Sequence, residues 1–99
     1  MHDVLLTIYC DRADSTLVTD TLRGLTDSPL HIDEIHVLGR DFGDALTGEL
    51  VRGALRRTAI AAVVAENATA TLVDAVVAAR RGKPVRWLIT PVLDRGRAA

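Results

Sequence analysis

The chain has 99 residues, a formal net charge of −1, and 48% hydrophobic against 25% charged residues. This length predicts one domain, 1–99, with a single hydrophobic core. The near-neutral charge, with only one Trp, one Tyr and one Phe, argues against nucleic-acid binding, because phosphates attract basic surfaces and single-stranded bases need stacking platforms.

The first segments predict a strand and then a helix. Asp3–Cys10 is rich in β-branched and aromatic residues, which is typical of a strand buried on both faces and hence central in a sheet. Asp11 is a predicted N-cap, and Asp14 suits the positive end of the helix dipole on the solvent-facing side. The helix positions that we expect to be buried are Ala13, Leu17, Val18, Leu22 and Leu25.

A second strand is predicted over Leu30–Leu38, after Gly24 and the turn Asp27–Pro29 have ended the helix. The alternation of apolar and polar residues breaks between Ile32 and Ile35, which indicates a β-bulge. This strand leads directly into the longest connection of the chain.

The connection Leu38–Arg57 contains four glycines and four arginines. A connection of this length is uncommon in a small domain unless it is functional or disordered. We interpret it as a mobile recognition loop whose partner-contacting residues are Asp41, Phe42, Gly43, Asp44, Glu49 and Arg52. On helix propensity alone, Asp44–Arg57 or the whole run to Arg81 is an alternative helix. Gly48 and Gly53 count against that alternative.

The third strand is predicted over Thr58–Ala65, and the second helix begins at Asn67 or Thr69. A capping box at Thr71–Asp74 offers a later start for the same helix. The residues expected on its buried stripe are Leu72, Val73, Val76 and Ala79.

The second helix is expected to end at Gly82, a predicted C′ residue. Arg80 and Arg81 are then in its last turn, where cations suit the helix dipole. Val85–Val92 is the predicted fourth strand, with prolines marking its ends because proline cannot donate to a central ladder.

The order of these elements predicts an α+β fold. Two split βαβ units give a ferredoxin-like βαββαβ sandwich, with a four-stranded antiparallel sheet and both helices on one face. The other face of the sheet would stay uncovered. Because Val, Ile and Leu occur along both faces of the strands, we expect this face to drive self-association.

The single cysteine, Cys10, excludes an internal disulfide and is typical of a reducing compartment. We expect it to be a small buried apolar residue. The N-terminal sequence lacks the basic start and long apolar region of a secretory signal, and no run approaches the ~18 apolar residues of a membrane helix. We therefore expect a cytoplasmic protein that does not insert into membranes.

Three short sequences resemble the PII-like superfamily: the opening DVLLTIYC, the run GELVRGALRR in the long connection, and the ending WLITPVLDRGR. Within it, the chain is most similar to an uncharacterised PII-like group associated with heavy-metal efflux. The resemblance implies a homotrimer that binds an adenine nucleotide or a small anion between subunits. It also implies that the long loop contacts a transporter or enzyme, and the related CutA proteins imply a divalent-metal response as an alternative.

The resemblance also implies positions for the ligand site. Gly39 and Arg40 would lie at the base of the recognition loop, Lys83 in a phosphate-holding turn, and Arg95 and Arg97 in an Arg-x-Arg near the C-terminus. This chain departs from the family in lacking successive glycines before the lysine, so that few backbone N–H groups can approach a triphosphate. We expect a smaller anion or a nucleoside monophosphate rather than ATP bound in the usual manner.

Basic residues also point to an anion site. Arginine forks suit phosphate and carboxylate groups, and two basic clusters meeting across a subunit boundary would form an anion cleft. The alternative is a solvated surface with ordinary ion pairs. The two clusters are Arg52, Arg56 and Arg57 at the end of the loop, and Arg80, Arg81 and Lys83 after the second helix.

Metal binding and catalysis have less support. His36 with Asp41 or Asp44 could form a weak metal site, although no pair of residues has a zinc-like spacing. The alternative for His36 is a strand residue that faces solvent or a subunit contact. There is no nucleophile elbow and no P-loop, so we predict that the chain is not an enzyme. A purely structural oligomerisation module remains a further alternative.

Overall fold

The structure is a computed structural model that describes residues 2–38 and 54–99. Several predicted site residues lie outside these ranges, and what the sequence predicts for them stays a prediction. They are Gly39, Arg40, Asp41, Phe42, Gly43, Asp44, Glu49 and Arg52.

The described residues fold as a ferredoxin-like α+β sandwich, as predicted. The elements are β1 (Asp3–Asp11), α1 (Ser15–Arg23), β2 (His31–Leu38), β3 (Ala54–Ala65), α2 (Thr69–Ala79) and β4 (Arg86–Pro91). A 3₁₀ turn precedes each helix, at Arg12–Asp14 and at Glu66–Ala68. Within residues 2–38 and 54–99, no helix is long and apolar enough to cross a membrane.

The sheet has the strand order β2-β3-β1-β4, and every neighbouring pair is antiparallel. β1 is central, as predicted, because it pairs with β3 from Asp3↔Ala65 to Asp11↔Arg57 and with β4 on its other side. β2 and β4 are the two edges. The end of β1 therefore lies beside the start of β3, at the end of the sheet where β2 stops and β3 begins.

One face of the sheet carries the core. The even-numbered residues of β1 are buried while the odd-numbered residues are half-buried, so strand alternation directs one set toward the helices. Both helices contribute to the same cluster, which places both of them on this face. The buried cluster comprises Val4, Leu6, Ile8, Cys10, Val18, Leu22, Ile60, Ala62, Val64, Leu72, Val73 and Val76.

The opposite face is covered by neither α1 nor α2. A row of paired residues crosses all four strands there, from His31 on β2 through Ala61 and Thr7 to Leu88 on β4. Leu88 is 52% exposed, and every residue of β4 is exposed. The small residues in the middle of this row make a flat surface, which we call the open face.

The third strand starts earlier than predicted, at Ala54 rather than Thr58. Its first four residues pair with the end of β2, from Ile35↔Arg57 to Leu38↔Ala54. Arg56 and Arg57 are therefore strand residues, and the prediction that they belong to the loop is wrong. The helical alternative is also wrong for Ala54–Ala65, because cross-strand pairing outweighs the helix propensity of its alanines.

The bulge predicted in β2 is wrong. Pairing with β3 continues without interruption from His31↔Ala61 to Leu38↔Ala54. β2 is an edge strand, and Ile32 is 48% exposed. Since neither face of this strand is deeply buried, its irregular alternation does not require an extra residue.

Helix α1 differs from prediction at its start. Asp11 does act as a cap, because its Oδ2 accepts a hydrogen bond from the Ala13 backbone N–H at 2.8 Å. The turn that follows is 3₁₀, with about three residues per turn, so the side-chain phase shifts. Asp14, predicted to face solvent, is buried, whereas Ala13, predicted to be buried, is exposed. Leu25, also predicted to be buried, is exposed because α1 ends before it, at Arg23.

Helix α2 begins at Thr69, one of the two predicted starts, and its buried residues Leu72, Val73 and Val76 confirm the predicted stripe. Its end is earlier than predicted. Arg80 is extended, with φ −60° and ψ 153°, so the arginines after the helix do not lie in its last turn. Gly82 has a φ of 84° and provides a left-handed turn before β4 instead of capping the helix.

Candidate functional site

A groove of about 190 Å³ lies where β2 ends and β3 begins. The described residues that line it come from three segments of the chain, which meet at this end of the sheet. Arg12 follows the end of β1, Glu34 to His36 belong to β2, and Arg56 belongs to β3. His36 and Arg56 are direct cross-strand partners, so the antiparallel register brings the imidazole and one guanidinium group together.

The groove is suited to a small anion. Its described lining includes two arginines, one histidine and one glutamate, and arginine forks donate paired hydrogen bonds to oxyanions. Pockets for larger organic ligands usually enclose roughly 300–1,000 Å³. The smaller volume here fits one phosphate-sized or carboxylate-sized group better than a complete nucleotide.

A buried ion pair lies directly behind the two groove arginines. The Arg57 side chain is 0% exposed, and its Nη1 lies 3.7 Å from Oδ1 of Asp11. The same Nη1 donates a 2.7 Å hydrogen bond to the backbone carbonyl of Arg56. Asp11 and Arg57 are the chain neighbours of Arg12 and Arg56, so this pair fixes the two backbone segments that carry the groove arginines.

Two further buried polar groups accompany this pair. Asp14 is 1% exposed, and neither carboxylate oxygen has a hydrogen-bond partner among the described residues. Cys10 is 0% exposed, as predicted for a small buried residue. Burial, followed by the nearby carboxylates of Asp14 and Asp11, raises the pKa of the Cys10 thiol to about 11, although Arg57 partly opposes this. The thiol is therefore protonated at neutral pH.

The raised pKa of Cys10 predicts a loss of stability in alkaline solution. The folded thiol titrates near 11 and the unfolded thiol near 9.0. Below pH 9 the stabilisation is complete, and between pH 9 and 11 it should decline by about 2–3 kcal/mol. Urea unfolding of wild type and Cys10→Ala across this range measures the effect. The difference between the two proteins should shrink as the pH rises, and a constant difference would contradict the assignment.

The predicted ligand-binding residues that the structure describes do not all meet in one protomer. Arg56 lines the groove, and Arg57 lies behind it. Arg95 forms a 3.1 Å ion pair with Asp3, at the start of β1. That position is eight residue steps from Asp11, roughly 26 Å along an extended strand. Arg95 and the groove could therefore serve one ligand only if they came from different copies of the chain.

Lys83 lies nearer to the groove end of the sheet. It precedes β4, whose first residue, Arg86, pairs with Tyr9 near the end of β1. The Lys83 backbone carbonyl accepts a 3.1 Å hydrogen bond from Arg80 Nη1, which holds the turn before β4. However, β1 separates β3 from β4, so Lys83 does not line the groove. Arg97 is exposed in the C-terminal tail.

The metal prediction for His36 involves residues beyond those described. His36 is exposed and lines the groove together with Glu34. Its predicted partners Asp41 and Asp44 lie outside the described ranges. Among residues 2–38 and 54–99, no group of three or more His, Cys, Asp or Glu side chains is placed to hold a metal ion.

Sequence reasoning missed two groove residues, Arg12 and Glu34. A signal for Arg12 was available: it follows the end of β1, and Arg56 comes at the start of the antiparallel strand beside it. Antiparallel pairing brings such positions to the same end of the sheet. No comparable pattern predicted that Glu34 lines the groove, because an acid on an edge strand is ordinarily solvated.

Comparison with known proteins supports the fold and assigns a family. Among curated proteins there is no match. Among solved structures, the chain is similar to the crystal structure of a DUF3240 family protein from Shewanella baltica. The TM-score is 0.80 at 17% sequence identity, and the alignment covers 100% of this chain and 99% of that one.

The family assignment comes from the sequence itself. The family described as "Protein of unknown function (DUF3240)" matches residues 1–99, so the match extends over all 99 residues. The likeness to the Shewanella baltica structure agrees with this match at the level of the fold. The chain belongs to the DUF3240 family.

Proposed function

We propose that this protein is a PII-like regulatory protein that assembles as a homotrimer and binds a small anionic effector. The observation that carries the proposal is the groove in which Arg12, His36 and Arg56 converge. Guanidinium and imidazole groups on three different segments provide hydrogen-bond donors from several directions. Such an arrangement favours an oxyanion over a neutral ligand.

The position of the groove links ligand binding to the segment 39–53. Besides Arg12, the described groove residues lie shortly before and shortly after this segment, at the end of β2 and the start of β3. A ligand that contacts both strand ends therefore binds next to the segment that contacts the partner. Ligand and partner can then change each other's affinity, because such coupling is reciprocal. The segment in turn contacts a transporter or an enzyme.

The open face and the distribution of basic residues support the proposed assembly. The open face carries the exposed Leu88 together with the half-buried Leu5, Ala61 and Val63, which favours contact with other copies. Arg95 and the groove lie at opposite ends of one protomer, so a cleft between copies is where they would act together. The ligand is then a phosphate-sized anion or a nucleotide whose phosphate occupies the groove.

Calorimetry on the purified oligomer tests the proposal. We expect heat of binding with at least one of the adenine nucleotides, cyclic nucleotides or bicarbonate. Arg56→Ala should weaken that binding about tenfold or more, because it removes a charge-assisted donor pair. Arg23→Ala, which removes an exposed arginine on α1 outside the groove, is the matched control and should bind normally. A confirmed trimer that gives no heat with any of these ligands would contradict the proposal.

A further inference from the structure

The groove has a feature that simple anion attraction does not explain, namely the carboxylate of Glu34. It lines the same groove as two arginines and is exposed on the edge strand β2. Within residues 2–38 and 54–99, neither the Glu34 carboxylate nor the Arg12 guanidinium forms a hydrogen bond or an ion pair. Glu34 therefore does not simply neutralise Arg12. Its charge remains available to a ligand, where it repels an anion that offers only acceptors.

We propose that the groove binds an oxyanion that still carries a proton, as hydrogenphosphate does, and that Glu34 selects this anion by accepting its O–H. This inference rests on the proposed function, because it names the chemical class of the effector at the same site. Arg12 and Arg56 donate to the unprotonated oxygens, and Glu34 receives the remaining hydrogen. The two arginines and Glu34 then each have a ligand group of the opposite hydrogen-bonding kind.

The proposal follows from the hydrogen-bonding capacity of the groups. An ionised carboxylate can only accept, and a guanidinium can only donate. Hydrogenphosphate offers both acceptor oxygens and one O–H donor. Sulfate has the same tetrahedral shape and nearly the same size but no proton at neutral pH. Against Glu34 it would place acceptor beside acceptor and charge beside like charge, which costs affinity.

Calorimetric titration with inorganic phosphate and with sulfate, at neutral pH and constant ionic strength, tests this inference. Wild type should bind phosphate at least about tenfold more tightly than sulfate, because a site built to pair with a ligand O–H rejects the analogue that lacks it. In Glu34→Gln the side-chain amide can donate to sulfate. The preference for phosphate should therefore fall to about twofold or less, mainly through tighter sulfate binding.

Asp33→Asn is the matched control. Asp33 is the exposed neighbouring acid on the same strand, and it does not line the groove. Its substitution removes the same charge from the edge of the sheet and should leave the ratio of phosphate to sulfate affinity unchanged. If Asp33→Asn lowers the ratio as much as Glu34→Gln does, general electrostatics explains the selectivity and the direct role of Glu34 is overturned.

Titration with bicarbonate, which also carries a proton, distinguishes a tetrahedral ligand from a planar one. Tighter binding of phosphate than of bicarbonate supports a tetrahedral ligand, and the reverse order supports a planar one with the same use of Glu34. Equal affinity for phosphate and sulfate in wild type overturns the inference. A wild type that binds neither anion also overturns it. In that case, nucleotide binding by a confirmed trimer would still leave the proposed function standing.

Discussion

Arg57→Met should lower the free energy of unfolding by about 3–5 kcal/mol, because it removes one partner of a buried ion pair. The Arg57 side chain is fully buried, and its guanidinium group lies beside Asp11. Methionine fills a similar volume but leaves the Asp11 carboxylate without its cation. It also removes the donor to the Arg56 backbone carbonyl. Asp11 keeps its hydrogen bond from the Ala13 backbone N–H but loses its cation, and removing one partner of such a pair costs more than the net gain from pairing.

Urea unfolding at neutral pH measures this loss, and Arg56→Met provides the comparison. Arg56 is the adjacent residue and has the same side chain, but it is exposed in the groove. Its substitution should change stability by less than about 1 kcal/mol, as is usual for surface positions. Similar losses in both variants would show that the burial of Arg57 contributes nothing particular to stability.

The two variants should also differ in how they affect anion binding. Arg56→Met removes a direct contact, whereas Arg57→Met acts through the backbone that positions Arg56. Arg57→Lys separates these roles, since lysine keeps a positive charge near Asp11, but its shorter ammonium head group does not match the position from which Nη1 donates to the Arg56 carbonyl. We expect Arg57→Lys to recover part of the stability and little of the backbone positioning.

The secondary structure was accessible from the sequence wherever one face of an element is deeply buried. β1 lies at the centre of the sheet, and its predicted bounds are correct to one residue, although its odd-numbered face is half-buried and not fully buried as predicted. The stripe Leu72, Val73 and Val76 of α2 was also clear. In α2 the core enforces the helical period, and in β1 the continuous run of apolar and β-branched residues indicates a central strand.

Predictions failed where tertiary contacts reverse the usual preference of a residue. Arg57 and Asp14 are charged, and charged residues usually indicate solvent or a loop. Here both of them are buried, at the end of the sheet where β1 ends and β3 begins. Only the pairing of the two strands reveals this arrangement, and a single sequence does not contain it. The early end of α2 has a different, local origin, because Arg80 donates a hydrogen bond to the Lys83 carbonyl in the turn before β4.

The candidate site was only partly predictable for the same reason. Arg56 and His36 were identified separately, one as an anion ligand and the other as a metal ligand. The register of β2 and β3 makes them neighbours in one groove. Local motifs do not specify which residue of β2 pairs with which residue of β3, because the sequence between these strands has no periodic pattern from which the register can be counted.

The open face provides the second large effect: Ala61→Glu should convert the assembled protein into a monomer. Ala61 lies in the middle of β3, between Thr7 on β1 and His31 on β2. Its small side chain allows a second copy to approach closely across the sheet. A glutamate there would lose its hydration on assembly without gaining a partner, which costs several kcal/mol for each copy.

Light scattering coupled to gel filtration measures the outcome. Wild type should elute as a particle of about three times the chain mass of 10.7 kDa, and Ala61→Glu as a single chain. Ala78→Glu on the exposed surface of α2 makes the same chemical change away from the open face, and it should remain assembled. Both variants should keep their far-ultraviolet circular dichroism, which separates loss of assembly from loss of fold.

The comparison of Ala61→Glu with Ala78→Glu also tests whether the effector site lies between copies. If Arg95 of one copy joins the groove of another, the monomeric variant loses anion affinity although every groove residue is intact. If the groove acts within one chain, the monomer binds the anion as wild type does. An Ala61→Glu protein that keeps the wild-type mass would show that assembly does not use the open face, and the trimer we propose would have to be built on the sheet edges instead.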